Sequence, residues 1–214
     1  MHNINHISTY QQSEKKIEKE NKKLKEHKTQ IINLLRATER AGIENLLEWM
    51  EANGFYDAPA SSKYHLAEPG GLAEHSLNVL DTAITMFNAL YAKDRFEWNE
   101  RINSIVICSL LHDLGKAGQF GKQNYIKNMD PEQFGAYKTN KDLVYIPHEV
   151  RSIAIASKFI ELTEEEQFAI LYHNGLYGEL HSLKYKETPL YMILHFADMW
   201  ASRVIEEKEG EQWH

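Results

Sequence analysis

The chain carries an adjacent histidine and aspartate, His112 and Asp113, inside the stretch Ser109-Leu110-Leu111-His112-Asp113-Leu114-Gly115-Lys116. Isolated histidines flank the pair, His75 upstream and His148 and His173 downstream, and a late carboxylate follows at Asp198. Imidazole nitrogen with carboxylate oxygen is the donor set of a borderline divalent ion, and a His-Asp pair at a helix C-terminus can turn both side chains to one ion. Apart from the pair itself, these positions are separated by roughly 25 to 37 residues, the spacing of helical hairpins, so each expected helix supplies about one. The pattern predicts a metal site with its ligands at helix ends and one in mid-helix.

Burial sharpens the choice of residues. A carboxylate at the end of an apolar helix face costs several kcal/mol unless it is paired or bound to metal, which singles out Asp113 and, in the apolar helix expected over 190–200, Asp198. His75 follows Gly70-Gly71, a pair that lets chain and site approach closely. His148 and His173 fall at a helix start and a helix end, where a polar cap is the plain alternative. His195 lies three residues before Asp198 and shares its face, as a core or supporting histidine or as a substitute ligand. His65 reads as a loop histidine and His181 as a surface one, while His2, His6, His27 and His214 lie in tails. Lys116, one turn from His112, suits either phosphate binding or a cation answering the helix dipole.

The elements that must position these residues read as helices. Apolar residues at 31, 34, 35, 43, 46, 47 and 50 predict a helical stretch over 31–53, stopped by Asn53-Gly54. Leu72, Leu77, Leu80, Ile84 and Phe87 predict another over 72–92, and 101–114 is apolar on most faces, as a central helix is. Pro147 suits a helix start before His148, Thr163 with Glu166 predicts a capping box, and Thr188-Pro189 opens the last helix. From Ala117 to Ile146 the helical period is lost. This insert is rich in Gly, Asn, Lys and aromatics, with a turn at 139–142 and a strand-like Leu143-Val144-Tyr145-Ile146. It reads either as a wall of a substrate pocket, with aromatics for a ring and lysines for phosphate, or as a surface β-hairpin without ligand contact.

At 214 residues, 43% hydrophobic and 26% charged, the chain fits one soluble globular domain with a sizeable core, or one domain plus an appendage, with one domain the better fit. Lys and Glu crowd residues 14–28, where Ile17, Leu24 and Ile31 are too sparse for a coiled coil and predict a solvated helix or arm. Glu206 to Glu211 reads as a fraying helix end. Cys108, the single cysteine, excludes an internal disulfide and reads as a small core residue. The longest apolar run, 105–111, is far short of a membrane span, and the polar start is no secretory signal, so a cytoplasmic address is expected. A net charge of −7 argues against wrapping long duplex nucleic acid, though short oligonucleotides and nucleotides remain open.

His75, His112-Asp113 and Asp198, with the string Tyr64-His65-Leu66-Ala67-Glu68-Pro69-Gly70-Gly71-Leu72-Ala73-Glu74-His75-Ser76 and the segment His112 to Lys116, resemble the HD superfamily of metal-dependent phosphohydrolases. The similarity runs from about Phe55 to Arg203. It implies an all-α, HD-type helical bundle, placed over 31–205 with an irregular insert, or β-hairpin, around 117–147; the charge pattern adds a charged helix or arm over 1–30 and a tail over 206–214. It further implies that His75, His112, Asp113 and Asp198 hold a divalent ion, that His148 and His173 serve a second with Asp113 bridging, and that His65 lies close to the substrate phosphate. Mn, Fe, Co, Ni, Zn or Mg fits such ligands. In the implied chemistry Asp113 orients or deprotonates the attacking water and Lys116 neutralises phosphate oxygens.

The implied activity is a phosphohydrolase or phosphodiesterase acting on a small phosphoester: a nucleotide, a cyclic nucleotide or a nucleic-acid end. The alternatives are an HD-fold di-iron oxygenase, which uses the same four-His, two-Asp set, and a nuclease-associated or silent HD module, which the complete ligand set disfavours. Two departures narrow the resemblance. The acidic residue that one-ion nucleotidases carry soon after the pair is replaced by Gly115 and Lys116, and the Gly-Tyr-Pro signature of cyclic-diguanylate hydrolases is absent after His173. No membrane partner is expected, and oligomeric state is left open.

Overall fold

The computed structural model describes residues 3–91, 98–175 and 185–207. Among the described residues eight α-helices follow in order: α1 (Asn3–Ala37), α2 (Ile43–Ala52), α3 (Gly71–Tyr91), α4 (Trp98–Leu111), α5 (Pro131–Phe134), α6 (His148–Ala156), α7 (Glu164–Tyr172) and α8 (Pro189–Trp200). Two short antiparallel strands, β1 (Tyr125–Lys127) and β2 (Tyr137–Thr139), pair with Ile126 opposite Lys138. The protein is therefore an all-α bundle with a hairpin insert, as the sequence predicts. Among the described residues no helix is long and apolar enough to cross a membrane.

α4 is central because almost every face of its second half is apolar. Ile105, Ile107, Cys108, Leu110 and Leu111 are buried against α3, α7 and α8. Cys108 is a free, fully buried thiol, and burial pushes its pKa up. α3 packs on α4 and α8, and α8 packs on α7, so the bundle converges where α4 ends.

Local signals place the termini. Thr163 Oγ1 accepts from the Glu166 backbone while Glu166 Oε2 accepts from the Thr163 backbone, the capping box that starts α7. Glu166 does more than cap: its buried carboxylate also accepts two hydrogen bonds from Arg40 at 3.0 and 2.7 Å and one from Ser104 at 2.7 Å. This carboxylate thereby ties the turn after α1 and the body of α4 to the start of α7. Thr188 Oγ1 likewise accepts from the Tyr191 backbone, with Pro189 opening α8.

Three expectations differ from the structure. The stretch 31–53 is two helices, because α1 ends at Ala37 and the chain turns before Ile43. The Thr38 hydroxyl donates to the Leu35 carbonyl there, satisfying a helix-end acceptor. The strand-like 143–146 joins no sheet. Its backbone instead offers Val144 O to Arg151 Nη2 at 2.8 Å, which leaves Val144 and Tyr145 exposed. Finally, Glu206 is buried rather than part of a fraying end. The chain past Trp200 widens into a π-helical turn, Ala201–Ile205, closed by a bond from Glu206 N to Ala201 O. The expected surface position of His181 lies outside the described residues.

Candidate metal centre

His75 stands one turn into α3, directed inward by the turn that precedes the helix. Gly70 has φ +78°, a conformation that favours glycine, and a side chain on Gly71 would meet the Leu66 carbonyl, so the chain passes close beneath the site. His112 and Asp113 follow the last residue of α4, where the helix gives way to a 3₁₀ turn over Leu114–Ala117. His148 is the first residue of α6, His173 caps α7 at its C-terminus, and Asp198 lies in the last turn of α8. Five segments distant in sequence thus contribute to one place.

The distances divide the six side chains into two halves that share Asp113. On one side His75 Nε2 is 3.3 Å from His112 Nε2 and 3.2 Å from Asp198 Oδ1. Asp113 Oδ2 faces the same pair, 3.5 Å from His75 Nε2 and 3.4 Å from His112 Nε2. On the other side His148 Nε2 and His173 Nε2 are 3.4 Å apart, and Asp113 Oδ1 lies 3.1 Å from the first and 3.6 Å from the second. His75, His112, Asp113 and His173 are all buried. His148 is more open, with 27% of its side chain exposed, against 17% for Asp198 in the first half.

The outer ring nitrogens decide which nitrogen offers a lone pair. His112 Nδ1 lies 2.9 Å from Ser109 O and His173 Nδ1 2.7 Å from Ile170 O. His148 Nδ1 lies 3.2 Å from Glu149 Oε2, and His75 Nδ1 is 3.0 Å from both oxygens of Glu206. All of these partners are pure acceptors, so each Nδ1 carries a proton and each Nε2, when it carries none, directs a lone pair inward. Lone pairs facing each other at such distances repel unless a proton or a metal cation lies between them. Asp113 Oδ1, moreover, is buried and accepts no hydrogen bond. Buried, unpartnered acceptors converging with imidazole nitrogens match the donor set of a divalent cation.

The electrostatics point the same way. Burial opposes a charged His75, but Asp198 and Glu206 outweigh it and raise its pKa to about 10. Burial also works against an ionised Asp113, yet Lys116, His112 and His148 hold its carboxyl well below the usual range. Asp198 is held low against burial by His75, His112 and His173. A field that keeps a proton on His75 at neutral pH is a field that attracts positive charge, and a metal competes for that same nitrogen.

The remaining expected residues surround this cluster. Lys116 Nζ is 2.6 Å from Asp113 Oδ2, so it forms an ion pair with the shared carboxylate rather than standing free. His65 packs against His75 with ring centroids 5.0 Å apart. Burial, then His75 and Lys116, pushes its pKa down to about 4, and its Nε2 is buried without a hydrogen-bond partner. His195 is buried, stacked on Tyr191, with its Nδ1 2.8 Å from His173 O. It therefore supports the backbone of His173 instead of facing the cluster.

The insert reaches the edge of the centre. Tyr137 N donates to Ser62 O in the His65 loop, and Arg151, one turn along α6 from His148, donates to Gln119 and Val144 at the two ends of the insert. Burial raises the Tyr125 pKa, and the charges of Lys116 and Asp113 act on its hydroxyl.

Glu206 and Asn78 were not legible as parts of this arrangement. The eight residues from Asp198 to Glu206 place the two on different faces of a regular helix, and only the π-helical turn removes that offset.

No curated protein and no solved structure matches the chain. A family model described as the HD domain matches residues 72–199, more than half of the sequence. That span opens with α3, closes with α8 and carries His75, His112, Asp113, His148, His173 and Asp198, and by this match the chain belongs to the HD domain family.

Proposed function

We propose that the protein is a phosphohydrolase or phosphodiesterase that acts on a nucleotide, a cyclic nucleotide or a nucleic-acid end, using two divalent ions. The HD domain implies a metal-dependent phosphohydrolase superfamily, which supplies the reaction class. The observation that carries the two-ion reading is Asp113, whose two carboxylate oxygens face different histidine pairs. His75, His112, Asp198 and Asp113 Oδ2 would hold one ion, and His148, His173 and Asp113 Oδ1 the other. Bound there, divalent ions polarise a phosphoryl oxygen and make water acidic near neutral pH.

The chain's own groups do the rest. Asp113 fixes the two histidine pairs relative to each other and offers the nearest carboxylate to receive a proton from the attacking water. Lys116, neutralising Asp113 in the free protein, is within one side chain's reach of any phosphoryl oxygen that enters. His65 Nε2, buried and unpartnered, is available to a substrate oxygen. Tyr125 helps close the site on the insert side. Aromatic rings support a base-bearing substrate: Tyr64 and Phe120 are exposed, each with a lysine ammonium over its face, Lys63 at 5.2 Å and Lys158 at 5.4 Å.

The test is metal content by elemental analysis of protein purified without chelator, for wild type and the His112→Ala, His148→Ala and His173→Ala variants. About two ions per chain, falling to about one in the His148 and His173 variants, is expected, with hydrolysis of nucleotide phosphoesters in Mn²⁺ or Fe²⁺. One ion per chain, unchanged by those two variants, would leave a mononuclear phosphatase. Iron content with dioxygen consumption and no phosphoester hydrolysis would replace the reading with an oxygenase.

A further inference from the structure

Glu206 lies outside the span that the HD domain model matches, yet it grips the residue at the heart of the cluster. Its side chain is only 1% exposed, and both of its oxygens lie 3.0 Å from His75 Nδ1. Asn78 Nδ2 donates to Oε1 at 2.9 Å, so the carboxylate is held from a second direction. His75 and Asn78 are three residues apart on α3 and present one face to it. His75 is thereby clasped at both ring nitrogens by residues of a single continuous segment, Asp198 at Nε2 and Glu206 at Nδ1.

Regular helix geometry would not give this clasp. At about 100° per residue, position 206 falls roughly 80° around the axis from Asp198. The π-helical turn over Ala201–Ile205 acts as a one-residue insertion, which brings position 206 to within roughly 20° of Asp198. The turn ends at Glu206 itself, whose amide closes the bond to Ala201 O at 3.0 Å. A strictly α-helical ending would carry Glu206 away from α3 and bury no carboxylate beside His75.

Resting on the metal reading of the site, we infer that Glu206 is a positioning residue: it fixes the Nδ1–H tautomer and ring orientation of His75 so that Nε2 is presented to the cation, and the π-helical turn exists to place it. A carboxylate accepting the outer N–H of a histidine ligand also makes the inner nitrogen a stronger donor. Asn78 orients the carboxylate, and His65 Nε2, 4.0 Å from Oε2, lies on its remaining side.

The experiment is Mn²⁺ affinity of the full chain by competition with a colorimetric chelator, for wild type, Glu206→Ala, Glu206→Gln and His75→Ala. The melting temperature of the chelated proteins is recorded alongside. Glu206→Ala is expected to weaken the tighter site by about 10- to 100-fold. Glu206→Gln keeps a neutral acceptor for Nδ1–H, so a loss of only about three- to tenfold is expected, a partial rescue that a purely structural role would not produce. Affinity within about twofold of wild type in Glu206→Ala, with a lowered melting temperature, would overturn the inference and make the carboxylate a fold contact. Should the alanine variant not fold, glutamine carries the test alone, and wild-type affinity there overturns it. Wild-type affinity in His75→Ala would instead remove the metal reading on which the inference stands.

Discussion

Asp113 is the residue on which the centre turns. Its carboxylate is itself buried, with one oxygen toward each histidine pair and an ammonium at 2.6 Å. A buried carboxylate in that position is stable only while positive charge surrounds it. Lys116 supplies such charge in the free protein, and the same ammonium is well placed for a phosphoryl group once the ions share that task. Lys116→Ala is accordingly expected to lower phosphoester turnover by at least about tenfold, as loss of a donor to developing charge does, with metal content unchanged. Steady-state kinetics beside elemental analysis decides it. Turnover within about twofold of wild type would reduce Lys116 to a counter-charge for Asp113.

At the scale of elements, the centre depends on how closely α6 approaches the end of α4. Gly115 makes that approach possible. A side chain there would collide with the His148 carbonyl and fall 2.9 Å from Arg151 Cβ and 3.0 Å from Ser152 N. The contact is also bonded, with Gly115 N donating to Ser152 Oγ at 2.8 Å and Ser152 Oγ donating to His148 O at 2.8 Å. Gly115→Ala should therefore push the first turn of α6, and His148 with it, away from Asp113. The expected result is loss of about one ion per chain, with a destabilisation of about 1–3 kcal/mol from overpacking. Elemental analysis and chemical denaturation measure the two effects. Full metal content in a folded Gly115→Ala protein would show that α6 can move without releasing His148, and the glycine would then be a matter of packing alone.

At the scale of the whole molecule, the proposed ligand set joins α3, α4, α6, α7 and α8, which are otherwise linked by packing and a few hydrogen bonds. Metal that binds the folded chain and not the unfolded one stabilises every one of these elements together. At a free concentration of about 100 times the dissociation constant the gain is about 2.7 kcal/mol, which for a chain of this size raises Tm by about 5–10 °C. Removing metal with a chelator is expected to lower Tm by that amount, and adding back Mn²⁺ to restore it. A Tm indifferent to both treatments would mean that the convergent side chains hold no ion in solution.

The residues of the candidate centre were legible in the sequence because their types are chemically improbable in apolar helices. A carboxylate at the end of the run 105–111, and another within 190–200, needs a partner, and burial without one is costly. Helix termini were legible for the same local reason: Thr163 with Glu166, Thr188-Pro189 and Pro147 act on neighbouring backbone groups within one turn. What lay beyond local chemistry was decided by tertiary packing. Sequence separates His75 from Glu206 by most of the chain, and a regular helix from Asp198 would turn that glutamate aside, so only the π-helical turn against α3 makes it a partner. The division of Asp113 between two histidine pairs depends likewise on where α6 and α7 end relative to α4, and the strand pairing of the insert on which backbone groups Arg151 and Ser62 claim first. Residue chemistry, acting over a few positions, announced buried charge that needs a partner; the packing of distant helices settled which of these groups meet and which groups support them.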